Sequence, residues 1–208
     1  MALECNLEGR GRPRNRLMTT LTPRFSSALA YAVTVHSGQV RKGTDIPYVS
    51  HLLGVAAIAL ERGATEDEAM AALLHDAPED AGGEPILDEI RKRFGPAVSD
   101  IVAGCSDTFE TPKPPWRHRK EAYIAHLEGA SPSVLLVSAA DKLHNVLSIT
   151  SDYREIGEAL WTRFTGGRDG TLWYYRSLAD SFLRLSPNRL ASELDLAVGE
   201  LEGLAAGR

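Results

Sequence analysis

His75 and Asp76 give the first strong indication of chemistry in the sequence. They follow a run at 69–74 that contains only alanine, methionine and leucine. Placing an imidazole and a carboxylate at the end of such an apolar helix costs free energy unless both are partnered. Because imidazole and carboxylate together suit divalent transition metals, one interpretation is a metal site. A buried histidine beside a surface aspartate is the alternative.

A second candidate is a polar stripe within the apolar stretch 134–148. Its members recur at steps of three, four and three: Ser138, Asp141, Asn145 and Ser148. This spacing places them on one face of a helix that is apolar nearly all round and therefore central. A buried polar face must line a site, a water network or a metal, so Asp141 is a candidate metal ligand. A helix with one solvated edge is the alternative, and His144 lies on a different face, where we expect a structural role.

Arg41 and Lys42 lie on a loop bracketed by glycines, and Tyr48 and His51 follow at the start of the next predicted helix. Two cations on such a loop suit a phosphate or a base, because arginine also stacks on rings. Taken singly, the same two residues are a solvated surface pair.

Glu79 and Asp80 follow the His75-Asp76 pair beyond Pro78. Carboxylates in this position are well placed to orient a water or to move its proton. The alternative is an exposed acidic loop. Further cations, candidates for holding phosphates, cluster on and after a proline-rich loop: Lys113, Arg117, Arg119 and Lys120. Tyr175 is a candidate nucleotide contact, with core packing as the alternative.

The elements that must position these residues are helices. Apolar periodicity predicts ten of them, at about 25–36, 50–60, 65–76, 86–94, 97–105, 117–127, 132–150, 155–164, 171–185 and 190–204. Ser50 is expected to cap the second helix, 65–68 to cap the third, and Pro78 to end it. Because no alternating β-branched run is long enough for a strand, the sequence predicts an all-α, single-domain bundle of about eight to ten helices over 23–208. Residues 1–22 are expected to form a flexible tail.

The composition limits the functional classes. The chain has 208 residues, 43% of them hydrophobic, and a formal net charge of -5. This balance excludes a disordered chain and argues against nucleic acid as a partner. The longest uncharged run, 25–40, is too short and too polar to span a membrane. Cys5 and Cys105 are expected to be free thiols in a reducing compartment, which favours a cytoplasmic location.

Together, these motifs resemble the HD metal-dependent phosphohydrolases, whose H…HD…D pattern is matched by His51, His75-Asp76 and Asp141. Four segments resemble, more narrowly, the hydrolase domain of the RelA/SpoT family: HSGQVRK (36–42), PYVSH (47–51), LLHDAPED (73–80) and ADKLHN (140–145). The resemblance extends in order over about 25–148.

The resemblance implies Mn²⁺-dependent removal of the 3′-pyrophosphate from ppGpp or pppGpp, which yields GDP or GTP and pyrophosphate. It implies one Mn²⁺ held by four residues: His51, His75, Asp76 and Asp141. It gives Glu79 and Asp80 the catalytic role, and it places four residues at the nucleotide: Arg41, Lys42, Asn145 and Ser148. Tyr48 is a further candidate substrate contact. The expected partner is therefore a small nucleotide.

Departures from the family pattern keep several alternatives open. Leu52 stands where many members have proline, and the segments 105–108 and 111–115 differ around the expected purine site. An adenine alarmone, (p)ppApp, is therefore an alternative substrate. Another HD hydrolase acting on a nucleotide or NADPH, and an antitoxin-like, alarmone-handling protein, are further alternatives. A homo-oligomer is compatible with the sequence.

Overall fold

A bundle of helices forms the protein in the computed structural model, which describes residues 19–108 and 112–207. Within these ranges the α-helices are α1 (Pro23–Val35), α2 (Val49–Glu61), α3 (Glu66–Leu74), α4 (Ala77–Ala81), α5 (Glu84–Phe94), α6 (Pro96–Cys105), α7 (Trp116–His126), α8 (Pro132–Ile156), α9 (Gly167–Leu185) and α10 (Arg189–Ala205). Two 3₁₀ segments, Leu127–Gly129 and Gly157–Arg163, follow α7 and α8. The only β pairing in the described part is an isolated bridge between Val40 and Pro47. The all-α prediction is confirmed.

Helix α8 lies at the centre of the bundle, as its apolar sequence predicts. It packs against α2, α3, α6, α9 and α10. The Ser131 side chain caps its start by accepting the Val134 N–H, and Pro132 occupies the first turn. The predicted end at Thr150 was wrong: α8 continues to Ile156 and stops at Gly157, which supplies a φ of +57°. The segment predicted as a separate helix over 155–164 is therefore the end of α8 and a 3₁₀ turn.

Helix α3 carries the apolar run that precedes His75. Its predicted capping box is confirmed, because Thr65 and Glu68 bond each other's backbone N–H groups. Every residue from Ala69 to Leu74 is fully buried. The helix ends at Leu74, and the prediction that Pro78 only terminates it was wrong. Pro78 lies in the first turn of α4, where its missing N–H costs no hydrogen bond.

Helix α2 begins at Val49, and the predicted Ser50 cap was wrong. Tyr48 is the N-cap residue and makes no side-chain cap. The backbone N–H of Ser50 already bonds the Pro47 carbonyl, and that of His51 bonds the Tyr48 carbonyl. A preceding turn thus satisfies the helix start without a serine hydroxyl, and His51 lies in the first turn of α2.

The first described residues are hydrogen-bonded to the rest of the chain and to each other. Thr19 donates to the Ala64 carbonyl (2.7 Å) and the Thr22 side chain caps α1. Residues 1–18 of the predicted tail, Cys5 among them, lie outside the described residues.

Cys105 is buried and is a free thiol, as expected. Among the helices of the described part, none is long and apolar enough to cross a membrane.

Candidate active site

Four side chains from three helical regions meet at one point beside α8. His51 comes from α2, His75 and Asp76 from the junction of α3 and α4, and Asp141 from the middle of α8. His51 Nε2 lies 3.2 Å from Asp141 Oδ1 and 3.5 Å from Asp76 Oδ2. His75 Nε2 lies 3.1 Å from Asp76 Oδ2 and 3.6 Å from Asp141 Oδ1. The structure therefore brings together all four residues that the resemblance predicts as ligands.

The chemistry of this donor set fits a divalent cation. His75 Nδ1 donates to the Ala72 carbonyl (2.8 Å), which leaves a lone pair on Nε2. The Nε2 atoms of His51 and His75 are both buried and have no hydrogen-bond partner among the residues that the structure describes. They face carboxylate oxygens, so lone pairs point at lone pairs unless a positive charge lies between them. One nitrogen of each imidazole and one oxygen of Asp141 lie within 4.8 Å of one another, the spacing of ligands around one ion.

Charge compensation in this cluster is strong even without an ion. Burial opposes charging of His75, but the carboxylates of Asp76 and Asp141 outweigh it and raise the pKa of His75 well above its ordinary value. Burial would raise the pKa of Asp76, yet His75 and His51 hold it well below the usual range. A proton and a metal ion therefore compete for the same lone pair on His75 Nε2. Metal binding at this site is expected to weaken in acid.

Neighbouring side chains fix the ligand atoms. Tyr48 donates its hydroxyl to Asp76 Oδ2 (2.6 Å), and burial together with the charge of Asp76 raises the pKa of Tyr48, so the hydroxyl keeps its proton. Asn145 donates to Asp141 Oδ1 (2.5 Å), while Lys142 Nζ lies 2.6 Å from Asp141 Oδ2. Lys142, which the sequence reasoning missed, directly follows Asp141 in the chain, and that adjacency was the available signal.

His144 lies against His51, with the two Nδ1 atoms 3.0 Å apart. Burial, followed by the neighbouring His51, lowers the pKa of His144 to about 4, so its imidazole is neutral at pH 7. One of the two Nδ1 atoms must then donate to the other. The ring fits because residue 54 is glycine: a Cβ there would lie 2.2 Å from His144 Cδ2 and Nε2. The structural role expected for His144 is therefore to orient the His51 ring.

Glu79 and Asp80 lie on α4, next to the cluster. Glu79 Oε1 accepts the backbone N–H of Asp107 (2.7 Å), and Lys113 Nζ lies 3.7 Å from Glu79 Oε2. Burial first, and then the charge of Asp107, raise the pKa of Glu79. Asp80 accepts a hydrogen bond from Gln39 Nε2 (2.8 Å).

Asp107 was missed by sequence reasoning because it lies in an irregular segment after α6. Its side chain is 6% exposed and pairs with Lys120 at 2.8 Å and with Arg119. The Asp107 backbone also binds Glu79. Asp107 thus joins Glu79 to two members of the predicted basic cluster, Lys120 and Arg119.

Two cavities open beside the cluster. The large cavity, about 370 Å³, contains Tyr48, His144 and Asn145 in its wall, and each of these bonds one of the proposed ligands. Apolar side chains line it as well: Ile46, Ile149, Phe164 and Tyr175. The basic cavity, about 300 Å³, is lined by four cations: Lys42, Arg119, Lys120 and Lys142. The two cavities share Lys42, Asn145, Phe164 and Tyr175 and are therefore adjacent.

The predicted substrate contacts divide between these cavities and other places. The large cavity is lined by six of them: Arg41, Lys42, Tyr48, Asn145, Ser148 and Tyr175. Arg41 bridges its loop to α8 by donating to Asn145 Oδ1 (2.9 Å). Lys113 lies beside Glu79 instead. The structure does not bring Arg117 to either cavity, because its guanidinium stacks on Trp173 (3.3 Å to the ring centre) and pairs with Glu121.

Ser138, the first residue of the predicted stripe, belongs to the core. Its hydroxyl lies 2.8 Å from the Tyr123 hydroxyl and 3.6 Å from Cys105 Sγ. Part of the stripe thus forms a buried polar network, and the part from Asp141 onward lines the site.

Comparison with known proteins defines the class first. The profile of the HD domain family matches residues 28–172, so the chain belongs to this family. Within it, the chain is similar to proteins named guanosine-3′,5′-bis(diphosphate) 3′-pyrophosphohydrolase MESH1. The Drosophila melanogaster relative is 33% identical over 62% of this chain and 72% of its own length. The Xenopus tropicalis relative is 38% identical over 57% of this chain and 65% of its own length, so the alignment spans slightly less than two thirds of that protein.

A solved structure gives the same relationship. It is described as a metazoan ortholog of SpoT that hydrolyzes ppGpp, and it aligns with a TM-score of 0.68 at 26% identity. The alignment covers 88% of this chain and 96% of that one. The chain is thus a member of the HD domain family that is similar to the MESH1 and SpoT proteins.

Proposed function

We propose that this protein removes the 3′-pyrophosphate from (p)ppGpp, releasing GDP or GTP and pyrophosphate. The observation that carries the proposal is the joining of a divalent-cation site to two cavities of different character. The four proposed ligands adjoin a partly apolar cavity through Tyr48, His144 and Asn145, and a cationic one through Lys142. A purine nucleoside with pyrophosphate groups needs that combination, an apolar wall for the base and cations for the phosphates.

The metal is proposed to be Mn²⁺, held by His51, His75, Asp76 and Asp141. A mixed set of imidazole and carboxylate donors suits this ion, and the family resemblance points to it. When bound, the ion lowers the pKa of water and withdraws charge from phosphoryl oxygens. Tyr48, Asn145, Lys142 and His144 keep the ligand atoms in place by the contacts described above.

Glu79 is proposed to act as the general base. Its raised pKa brings the carboxylate closer to the operating pH, where proton transfer from water is most effective. The Asp107 N–H holds Oε1 and leaves Oε2 to Lys113 and to a water. Asp80, the second member of the pair, is proposed to assist from its place beside Gln39.

The test is a substrate panel with purified protein and Mn²⁺. We expect pyrophosphate and GDP from ppGpp, detected by a pyrophosphatase-coupled assay and anion-exchange chromatography. ppApp is run in parallel, and NADPH and GMP are run with detection of free phosphate. Absence of pyrophosphate release from ppGpp would refute the proposal. Release from ppApp alone would then favour an adenine alarmone as the substrate, and release of phosphate from NADPH or GMP alone would favour another HD phosphohydrolase.

Glu79→Gln tests the role of the base. We expect kcat to fall by a factor of about 10² to 10⁴, the usual contribution of a general base, with Mn²⁺ affinity unchanged. Glu84→Gln is the matched control, because Glu84 is exposed at the start of α5. Turnover by Glu79→Gln equal to that of the control would contradict the assigned role.

A further inference from the structure

Asp152 extends the polar face of α8 beyond the residues that the family pattern covers. Asp141, Asn145, Ser148 and Asp152 recur at steps of four, three and four, so they lie along one side of the helix. Asp141 and Asp152 are eleven residues apart, about 16 Å along the axis. Asn145, Ser148 and Asp152 all line the large cavity. The face thus begins at the proposed metal ligand and ends at a carboxylate at the far side of the cavity.

Arg163 holds this carboxylate in place. Its Nη1 donates to Asp152 Oδ2 at 2.9 Å, and the side chains are 22% and 34% exposed. The Arg163 side chain also packs on Gly43, where a Cβ would lie 2.6 Å from Nε and 2.7 Å from Cδ. Arg163 therefore joins α8 to the loop that carries Arg41 and Lys42. Both members of the pair line the large cavity.

The pair keeps hydrogen-bonding capacity for a ligand. The bond to Arg163 takes Oδ2 of Asp152, and within the described part of the chain no hydrogen bond takes Oδ1 or Arg163 Nη2. An ion pair whose only role is to join α8 to the loop does not need to be accessible from a cavity. The partial exposure of both groups instead leaves acceptors and a donor side by side at the cavity wall.

We propose that Asp152, positioned by Arg163, reads the Watson–Crick edge of a guanine base in the large cavity. This inference rests on the proposed function and selects the substrate's base. Guanine presents two adjacent donors, N1–H and the 2-amino group, and one acceptor, O6. A carboxylate accepts both donors, and the neighbouring guanidinium donates to O6.

Adenine matches the Asp152 carboxylate and the Arg163 guanidinium less well than guanine does. Its edge presents one donor, the 6-amino group, beside one acceptor, N1, and it lacks a 2-amino group. Turned to meet the pair, adenine forms two of the bonds and leaves one carboxylate oxygen unpaired. Sites built to bind a donor discriminate strongly against a ligand that lacks it, because their own polar group is left unsatisfied. The wild-type protein should therefore prefer the guanine alarmone by about tenfold or more.

Asp152→Asn tests the inference with little change of shape. The amide keeps one oxygen for Arg163 and replaces the other acceptor by a donor, which opposes guanine N1–H. We expect the ratio of kcat/KM for ppGpp to that for ppApp, with Mn²⁺ present, to fall at least tenfold relative to wild type. Asp88→Asn, exposed on α5, is the matched control and should leave the ratio unchanged.

Equilibrium binding gives a readout that needs no turnover. The Kd values of GDP and ADP are measured for wild type and Asp152→Asn, and we expect the preference for GDP to be lost in the variant. A wild-type preference for ADP, or an equal loss of affinity for GDP and ADP in the variant, would refute recognition of the base by Asp152. The pair of Asp152 and Arg163 would then serve only to join α8 to the loop. If wild type hydrolyses neither alarmone, the proposed function fails, while the GDP and ADP measurements still decide the role of Asp152.

Discussion

Gly54→Ala is the substitution that best tests how the metal cluster is held. Gly54 lies in α2, one turn after His51, and its added methyl group would lie 2.2 Å from two atoms of the His144 ring. The ring must therefore move, and the 3.0 Å contact between His144 and His51 breaks with it. The variant changes neither a proposed ligand nor a cavity-lining residue, and the atoms nearest to the added methyl group belong to the His144 ring.

The expected change in stability is the balance of two terms. Alanine in a helix interior is favoured over glycine by about 1 kcal/mol. Overpacking a well-filled interior costs about 1–3 kcal/mol, and the lost hydrogen bond between the imidazoles lies within that range. The net result is a destabilisation of about 1 kcal/mol, or a decrease in Tm of about 2–4 °C for a chain of this size. Metal affinity should fall by about 10- to 100-fold, as is usual when a residue that orients a ligand is displaced.

Two glycine variants serve as controls. Gly199 lies in α10, and the atom nearest to a methyl group added there would be Arg176 Nη2 at 3.9 Å, so Gly199→Ala should stabilise the protein by up to about 1 kcal/mol. A Cβ at Gly104 would lie 2.5 Å from Val134 Cγ2, between α6 and α8. Gly104→Ala should destabilise the protein to a similar degree as Gly54→Ala while leaving metal affinity unchanged.

The assays are urea denaturation in the presence of a chelator, for stability, and calorimetric titration with Mn²⁺, for affinity. Gly54→Ala should resemble Gly104→Ala in the first assay and differ from it in the second. If Gly54→Ala is stabilised as Gly199→Ala is, or binds Mn²⁺ as tightly as wild type, then His144 does not orient His51 and the reasoning is refuted.

Two further predictions concern metal binding and the proposed general base, Glu79. Saturating Mn²⁺ should stabilise the protein, since filling the site between His51 and His75 favours the folded state by about 2.7 kcal/mol at a hundredfold excess over Kd; a Tm that does not respond to Mn²⁺ or to chelator would contradict the site. The raised pKa of Glu79 means that the folded state binds this proton more tightly than the unfolded state, so its stabilisation is complete below the unfolded pKa and is lost as pH rises through the folded one. In metal-free protein, Glu79→Gln should therefore gain stability relative to wild type as the pH rises above the ordinary carboxyl pKa, as measured by denaturation curves, and a difference independent of pH would count against it.

The helices could be predicted from the sequence because apolar residues that become buried recur at the spacing of an α-helix. The apolar run before His75 and the apolar surface of α8 both led to buried helices. The errors fall at helix ends, where local chemistry decides. Pro78 is compatible with ending one helix or starting another, and only the tertiary position of α4 selects the second. Gly157 ends α8 through a positive φ that periodicity does not report.

The candidate site could be predicted only in part, because periodicity within one helix says nothing about contacts between helices. Sequence reasoning found the side chains that face the cluster from α2, α3 and α8. It missed Asp107, whose role depends on an irregular segment meeting α4. It also placed Arg117 with the phosphate-binding cations, although a turn of α7 directs this residue to Trp173. The spacing between Asp141 and Asp152 was present in the sequence, but the importance of Asp152 depends on Arg163, which lies on a different element.

The formal net charge of -5 and a polyanionic ligand are compatible because the charges are arranged locally. Asp141 is paired with Lys142, and Asp107 with Lys120 and Arg119. These three cations, with Lys42, line the basic cavity. At physiological ionic strength, exposed charges more than about 8 Å away are largely screened. An entering phosphate therefore responds to the cations of the cavity and to a bound divalent ion, and the acidic remainder of the surface has little effect on it.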